Sequence, residues 1–158
     1  MATQTTATVL TGQNQQKTVE SLQRNLLDLL NLGLQLKQVH WNLRGPHFRP
    51  VHLQLDEIVA DARDASDEVA ERIATLGEPA DGRAATIAEN STLDAVPEGL
   101  IRDEDGVSLM CDRLVAVSSR LRAAIDTTDK TDQVTQDLLI GICGKLEKHM
   151  WMLRSQLE

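Results

Sequence analysis

Residues 51–76 carry a row of apolar side chains at steps of three or four. The members of the row are Val51, Leu55, Ile58, Ala62, Ala65, Val69, Ile73 and Leu76. Because an α-helix has about 3.6 residues per turn, this spacing places them along one stripe. A helix with one apolar stripe buries that stripe against other helices. The segment therefore predicts a helical bundle.

Three other segments carry the same spacing. The first follows Thr18, a predicted N-cap, and ends before the break at Gly45-Pro46. Its row is Leu22, Leu26, Leu29, Gly33, Leu36 and His40, and a second row is Leu27, Leu30, Leu34 and Trp41. Two rows predict packing within the bundle and against a partner. The helix of residues 51–76 is expected to start near Phe48 or Pro50.

The last two helices are predicted from about Glu104 to Asp126 and from a cap at Thr131 onward. Their inward residues are predicted to be Val107, Met110, Leu114, Val117, Leu121 and Ala124, then Val134, Leu138, Ile142, Leu146, Leu153 and Leu157.

Residues 77–103 form a long connection between the second and third helices. Gly77, Gly82, Gly99, Pro79 and Pro97 interrupt it. A long connection in a bundle joins helices that run parallel, and residues 91–96 are predicted to form a short helix within it. Residues 1–16 carry no charged side chain and are predicted to be a flexible tail. The fold class is an all-α four-helix bundle, in one domain over residues 17–158.

Composition excludes several classes of function. The net charge of −8 gives the chain no general attraction for nucleic acid or anionic membranes. No apolar run is long enough to span a bilayer, and the N-terminus does not resemble a secretory signal. Cys111 and Cys143 lack metal-binding spacing and are predicted to be buried thiols in a reducing compartment. A cytoplasmic protein is expected.

Five residues between 40 and 71 are candidate metal ligands: His40, His52, Asp56, Asp67 and Glu71. His52 and Asp56 are one helical turn apart, and so are Asp67 and Glu71. The eleven residues from Asp56 to Asp67 span about 16 Å of helix axis. Metal–ligand bonds are about 2 Å long, so one helix cannot bring both pairs to one metal.

The two pairs are therefore predicted to be half-sites. An antiparallel hairpin brings His40 close to His52 and Asp56, whereas Asp67 and Glu71 lie further along the helix. A twofold axis between two antiparallel copies joins the half-sites of opposite chains into two equivalent shared sites. Imidazole and carboxylate ligands with open positions suit Fe(II) redox chemistry. They also suit metal-assisted hydrolysis, which needs in addition a cleft for an organic substrate.

The run from Lys37 to Asp56 (KQVHWNLRGPHFRPVHLQLD), followed by DEVAER from Asp67 to Arg72, resembles the Dps family, the miniferritins. The resemblance covers residues 18–158. It implies a ferritin-like four-helix bundle with a short helix in the long connection, and a hollow dodecameric cage. It also implies that Asp67 and Glu71, with His40 of the partner subunit, bind a first iron. His52 and Asp56 would serve a weaker second iron.

The activity implied by the resemblance is oxidation of Fe(II), preferentially by hydrogen peroxide rather than oxygen, and storage of the Fe(III) mineral. Trp41 resembles a tryptophan beside the iron centre that intercepts oxidising equivalents, although it also suits a core aromatic. Glu57 is a candidate mineral nucleation residue. Residues resembling the acids that line iron-admitting pores are Asp126, Asp129, Asp132 and Asp137. Acids in the first turn of a helix also favour its dipole.

Two histidines outside this set are expected to have no metal role. His47 is predicted to lie at the surface, and His149 to be packed or exposed without ligand partners. Direct DNA binding is not expected, because residues 1–16 carry no Lys or Arg. A nucleoid-binding structural protein without redox chemistry stays the remaining alternative.

Overall fold

The structure, a computed structural model, describes residues 8–157. Its elements in chain order are α1 (Gly12–Asn42), β1 (Leu43–Arg44), α2 (Phe48–Thr75), α3 (Ala84–Asn90), β2 (Ile101–Arg102), α4 (Asp103–Thr128) and α5 (Gln133–Arg154). Four long helices with a short helix in the connection between α2 and α4 confirm the predicted all-α bundle. The predicted start of α2 near Phe48 is also confirmed.

The helices pack as two hairpins, α1 with α2 and α4 with α5. The hairpins meet where α1 packs against α4 and, less extensively, where α2 packs against α5. At one end of the bundle β1 pairs in parallel with β2, with Leu43 opposite Ile101. The chain therefore returns along the whole bundle before α4 begins. This confirms the crossover connection, with α2 and α4 running parallel.

The apolar rows predicted for α2 and α4 are buried throughout and form most of the core with α1. The row predicted for α5 is wrong at both ends, since Val134 and Leu157 are exposed. The buried row of α5 instead begins at Thr135 and continues through Leu139. The hydroxyl of Thr135 fits this position because it lies within hydrogen-bonding distance of Asp132 and Arg72.

Helix starts also differ from the predictions. Helix α1 begins at Gly12, and Thr18 lies buried inside it, where its hydroxyl donates to Thr131 at 2.8 Å. The predicted tail is therefore helical from residue 12, while residues 1–7 lie outside the described residues. Helix α5 starts after Asp132, so Thr131 is not its cap.

The short helix covers residues 84–90 rather than 91–96. The cause lies in α1, where the buried Asp28 carboxylate accepts hydrogen bonds from Ser91 Oγ, Thr92 N and Thr92 Oγ1. A main-chain amide and two hydroxyls bound in this way end the helix and hold the chain extended. Within residues 8–157 no helix is sufficiently long and apolar to cross a membrane.

The loop between α1 and α2 is clamped to the start of α4. The buried Asp103 carboxylate accepts the main-chain N–H of His47 at 2.6 Å and that of Glu104 at 3.0 Å. These hydrogen bonds, the His47 bond first, lower the pKa of Asp103 below its ordinary value. Gly45 has φ of 139°, and a Cβ there would overlap the Asp103 carboxylate. Glycine is therefore required for this close approach.

We expect Gly45→Ala to lower the free energy of unfolding by about 3 kcal/mol, because it combines backbone strain with displacement of a buried carboxylate. Thermal unfolding followed by circular dichroism measures the change. Gly144→Ala is the matched control, since Gly144 is exposed in α5 with nothing within 4 Å of an added Cβ. The control should be neutral or slightly stabilising. Equal effects of the two substitutions would contradict the clamp.

Candidate metal centre

His40 and His52 face each other across the α1–α2 hairpin. Their rings stack with centroids 3.5 Å apart and planes 18° apart. His40 Nδ1 lies 2.8 Å from the carbonyl oxygen of His52, and His52 Nδ1 lies 3.0 Å from that of His40. Each ring is thus bound to the main chain of the other helix. The predicted proximity of His40 and His52 is confirmed.

The carbonyl contacts decide the tautomer of both imidazoles. A carbonyl oxygen can only accept, so the hydrogen must be on Nδ1 in each ring. The lone pair is then on Nε2, which is left for a metal ion. A histidine that binds a metal through one ring nitrogen usually donates the N–H of the other to a carbonyl or carboxylate, and this hydrogen bond fixes the orientation of the ring. His40 is 5% exposed, so its ring has little freedom to turn.

Asp56 lies beside this pair but is engaged elsewhere. Its Oδ1 accepts a hydrogen bond from Lys37 Nζ at 2.8 Å and is 3.5 Å from His40 Nδ1, the nitrogen that faces the main chain. The Lys37 hydrogen bond is the main cause that holds the pKa of the Asp56 carboxyl below its usual value. Coordination alongside Nε2 therefore needs the second oxygen of Asp56 or a turn of its half-exposed side chain.

Asp67 and Glu71 are exposed one turn apart on α2, away from the histidines. Asp67 borders an open groove between α1 and α2, whose floor is formed by Leu26 and Leu30. Within residues 8–157 of one chain, no three His, Cys, Asp or Glu side chains are close enough to hold a metal. One copy thus brings His40 and His52 together and leaves Asp67 and Glu71 apart from them.

Trp41 is 67% exposed on α1, next to His40 in the chain. It is therefore not the core aromatic that was the alternative. Lys37 Nζ lies 5.5 Å from the centre of its ring, within the range of cation–π attraction. Leu34, in the same row, is also exposed. Glu57 is exposed and borders a shallow groove between the start of α2 and the end of α5.

The four acids predicted to line a pore differ in their surroundings. Asp126, Asp129 and Asp137 are exposed at the α4–α5 turn. Asp132 instead accepts a hydrogen bond from Arg72 Nη2 at 2.7 Å, and its side chain is 12% exposed. Their role in a pore stays a prediction, with Asp132 already neutralised by a residue of its own chain.

Sequence reasoning missed three polar contacts around these residues. Lys37 was not considered, although it precedes His40 by three residues and Trp41 by four, which are neighbouring positions on a helix. Arg72, next to Glu71, ties the end of α2 to α5. His149 is buried, with Nε2 only 2.6 Å from Asp61 on α2. No spacing rule could have found that pair, because its members are 88 residues apart.

His47 is exposed, as predicted. The cysteines also match their prediction, since both are free and buried. Burial is the largest cause raising the pKa of each thiol, to about 11 for Cys143. Cys143 also donates to Glu147 at 3.3 Å, which further stabilises its neutral form. Neither thiol is therefore activated for redox or metal chemistry.

Comparison with known proteins gives the class. A family model for the ferritin-like domain matches residues 19–158. Among curated proteins, the DNA protection during starvation protein of Mycolicibacterium smegmatis is 41% identical over 139 residues, which is 87% of this chain and 75% of the relative. The protein of the same name from Agrobacterium fabrum is 31% identical over 138 residues, 87% of this chain and 85% of the relative.

Solved structures of Dps proteins also resemble this chain in fold. The tetragonal form of Mycobacterium smegmatis Dps has a TM-score of 0.93 at 35% identity, covering 99% of this chain and 95% of that one. Dps from Microbacterium arborescens, in its high iron form, has a TM-score of 0.90 at 35% identity, covering 96% and 99%. Fold and family model thus define a ferritin-like protein. More narrowly, the chain belongs to the Dps family, a branch of the ferritin-like iron-storage proteins.

Proposed function

We propose that this protein is a ferroxidase that oxidises Fe(II) at sites shared between two subunits and stores the product as a ferric mineral. The observation that carries the proposal is the pair of stacked histidines, both fixed as Nδ1–H tautomers with Asp56 beside them, on a chain whose Asp67 and Glu71 lie apart from them. A twofold axis between antiparallel copies of α2 completes each site from two half-sites.

Asp67 and Glu71, with Nε2 of the partner subunit's His40, hold the first Fe(II) in this proposal. His52 and Asp56 of the same partner serve the second, and Glu71 bridges the two ions. The carboxylates neutralise the ions and favour Fe(III), because hard oxygen ligands bind the higher charge better. The stacked rings, held by the main chain, keep two nitrogens at separate ions.

Hydrogen peroxide is the proposed oxidant, with oxygen as the slower substitute. Two Fe(II) ions each give one electron to one peroxide molecule, whose O–O bond breaks, and two protons complete two water molecules. Iron and peroxide are removed together, which limits the formation of hydroxyl radicals and protects the cell. The family resemblance supports this choice of oxidant, and the site geometry is compatible with it.

The exposed residues of α1 support a homo-oligomer. Leu34 and Trp41 are exposed two turns apart on the same side of α1, and Leu30, one turn before Leu34, lines the groove that Asp67 borders. Large apolar side chains grouped in this way are typical of an interface. We propose that a second copy covers this face, and that twelve copies close into a cage in the cytoplasm. Glu57 as nucleation residue, the acids of the α4–α5 turn as pore lining and Trp41 as redox neighbour complete the proposal. Direct DNA binding is not part of it.

We expect the double variant His40→Ala, Glu71→Ala to lose peroxide-driven Fe(II) oxidation by roughly 100-fold or more. Loss of residues that only support ligands costs about 10- to 100-fold, and these residues are ligands themselves. Absorbance of Fe(III) after anaerobic Fe(II) loading and peroxide addition measures the rate, and size-exclusion mass measures the assembly. His47→Ala, Glu68→Ala is the matched control, since both residues are exposed and neither is a proposed ligand. Wild-type rates in the first variant would exclude this site.

A further inference from the structure

Lys37 is the charged group beside the histidine pair that the proposed function leaves unused. Its Nζ donates to Asp56 Oδ1 at 2.8 Å. The side chain is 20% exposed, which is low for a lysine on a helix surface. The ammonium is therefore held in one place rather than moving freely in solvent.

Groups from two helices surround this ammonium. Asp56 on α2 supplies the opposite charge, and the Trp41 ring on α1 lies 5.5 Å from Nζ. An aromatic face attracts a cation, so both neighbours favour the same position of Nζ. His40 Nδ1 is 3.5 Å from the Asp56 oxygen that Lys37 binds. Lys37 thus adds a positive charge next to the histidines that are proposed to bind metal.

We propose that Lys37 determines the affinity of the second metal ion, because its ammonium occupies the Asp56 carboxylate as an internal cation in the metal-free protein. The inference rests on the proposed function. A divalent ion that uses Asp56 has to displace Nζ or bind against its charge, and both weaken binding.

The effect is larger on one of the two ions. The first ion uses Asp67, Glu71 and the partner subunit's His40, and within residues 8–157 Lys37 makes no side-chain hydrogen bond to any of these residues, whereas it binds Asp56 directly. Only the second ion needs Asp56. Lys37 therefore makes the two positions unequal and imposes an order, in which the first position fills before the second. Displacement of Nζ also removes a cation from the face of Trp41, so the second step changes the emission of that tryptophan.

The test is titration of the full-length assembled protein with Zn²⁺, which is redox-inactive, followed by calorimetry. In the wild type we expect a tight and a weaker class of site. Lys37→Met should tighten the weaker class about tenfold, which corresponds to about 1.4 kcal/mol. The tight class should change less than twofold. Lys37→Arg keeps the charge and should keep the weaker class weak.

Two controls separate this effect from others. Lys145→Met removes one positive charge from an exposed position of α5 and should leave both classes unchanged. In a Trp151→Phe background Trp41 is the remaining tryptophan, so its emission reports the site alone. The emission of Trp41 should change on binding of the second Zn²⁺ when residue 37 is lysine, and it should stay constant in Lys37→Met. Circular dichroism and size-exclusion mass confirm that each variant folds and assembles.

The outcomes are distinguishable. Absence of Zn²⁺ binding by the wild type overturns both the proposed function and the role of Lys37. Two classes that Lys37→Met leaves unchanged overturn the role of Lys37 alone. A weaker second class in Lys37→Met means that Lys37 positions Asp56 for the metal, and also overturns it. A tighter second class in Lys37→Met but not in Lys145→Met supports it.

Discussion

Two inactive variants are expected to restore each other when they assemble together. One chain carries His40→Ala, His52→Ala and Asp56→Asn, and the other carries Asp67→Asn and Glu71→Gln. In a mixed pair, one of the two shared sites receives every wild-type ligand and the other receives none. With random pairing half of the pairs are mixed, so about a quarter of wild-type ferroxidase activity returns.

The measurement is peroxide-driven Fe(II) oxidation by hybrids that are co-expressed with two different tags and purified on both. Each variant alone should be nearly inactive while keeping its assembly mass. Mixing the separately purified variants without exchange of subunits is the control and should restore nothing. Hybrids as inactive as the parents would contradict a shared site, and full activity in either parent would place the site within one chain.

Asp28→Ala is expected to destabilise the protein by about 4 kcal/mol, because it removes a buried carboxylate from its partners. The carboxylate binds Ser91, the main chain and hydroxyl of Thr92, and Arg120 Nε at 3.1 Å, and its side chain is only 2% exposed. These contacts connect α1 to the long connection and to α4. Loss of this size corresponds to a fall in Tm on the order of 10 °C.

Thermal unfolding measures the loss of stability in Asp28→Ala, and hydrogen exchange identifies the residues that lose protection. Faster exchange is expected in residues 91–95, which lose their attachment to α1. Asp94→Ala is the matched control, because Asp94 lies in the same stretch with an exposed side chain. A fall in Tm no larger than that of Asp94→Ala would contradict the anchoring role of Asp28.

The helices could be predicted from sequence because their apolar spacing is a local property. Every member of the row from Val51 to Leu76 is buried, as expected from its period alone. The ends were less predictable. Thr18 has the side chain of a cap, yet it is buried within α1 because its hydroxyl bonds to Thr131 across the bundle. The short helix ends at Asn90 because Asp28, 63 residues away, binds Ser91.

In the candidate site, likewise, the features that depend on local spacing could be predicted and those that depend on packing between helices could not. His52 and Asp56 lie far from Asp67 and Glu71 along α2, and helix geometry alone predicts this distance from the sequence. The reciprocal bonds of the two rings to main-chain carbonyls could not be foreseen, because they depend on how α1 and α2 are offset. Likewise, the ion pair of Lys37 and Asp56 joins residues 19 positions apart across that hairpin.

In the proposed metal site, the reciprocal histidine bonds would also link metal affinity to the sliding of one helix past the other. A shift of α1 along α2 breaks both Nδ1 contacts at once, and each ring then loses the support that aims its Nε2. Metal bound at these nitrogens, as proposed, would resist that shift, since it would bind the aligned state preferentially. An occupied centre would therefore hold α1 and α2 at one offset, and iron affinity would depend on how these two helices are aligned.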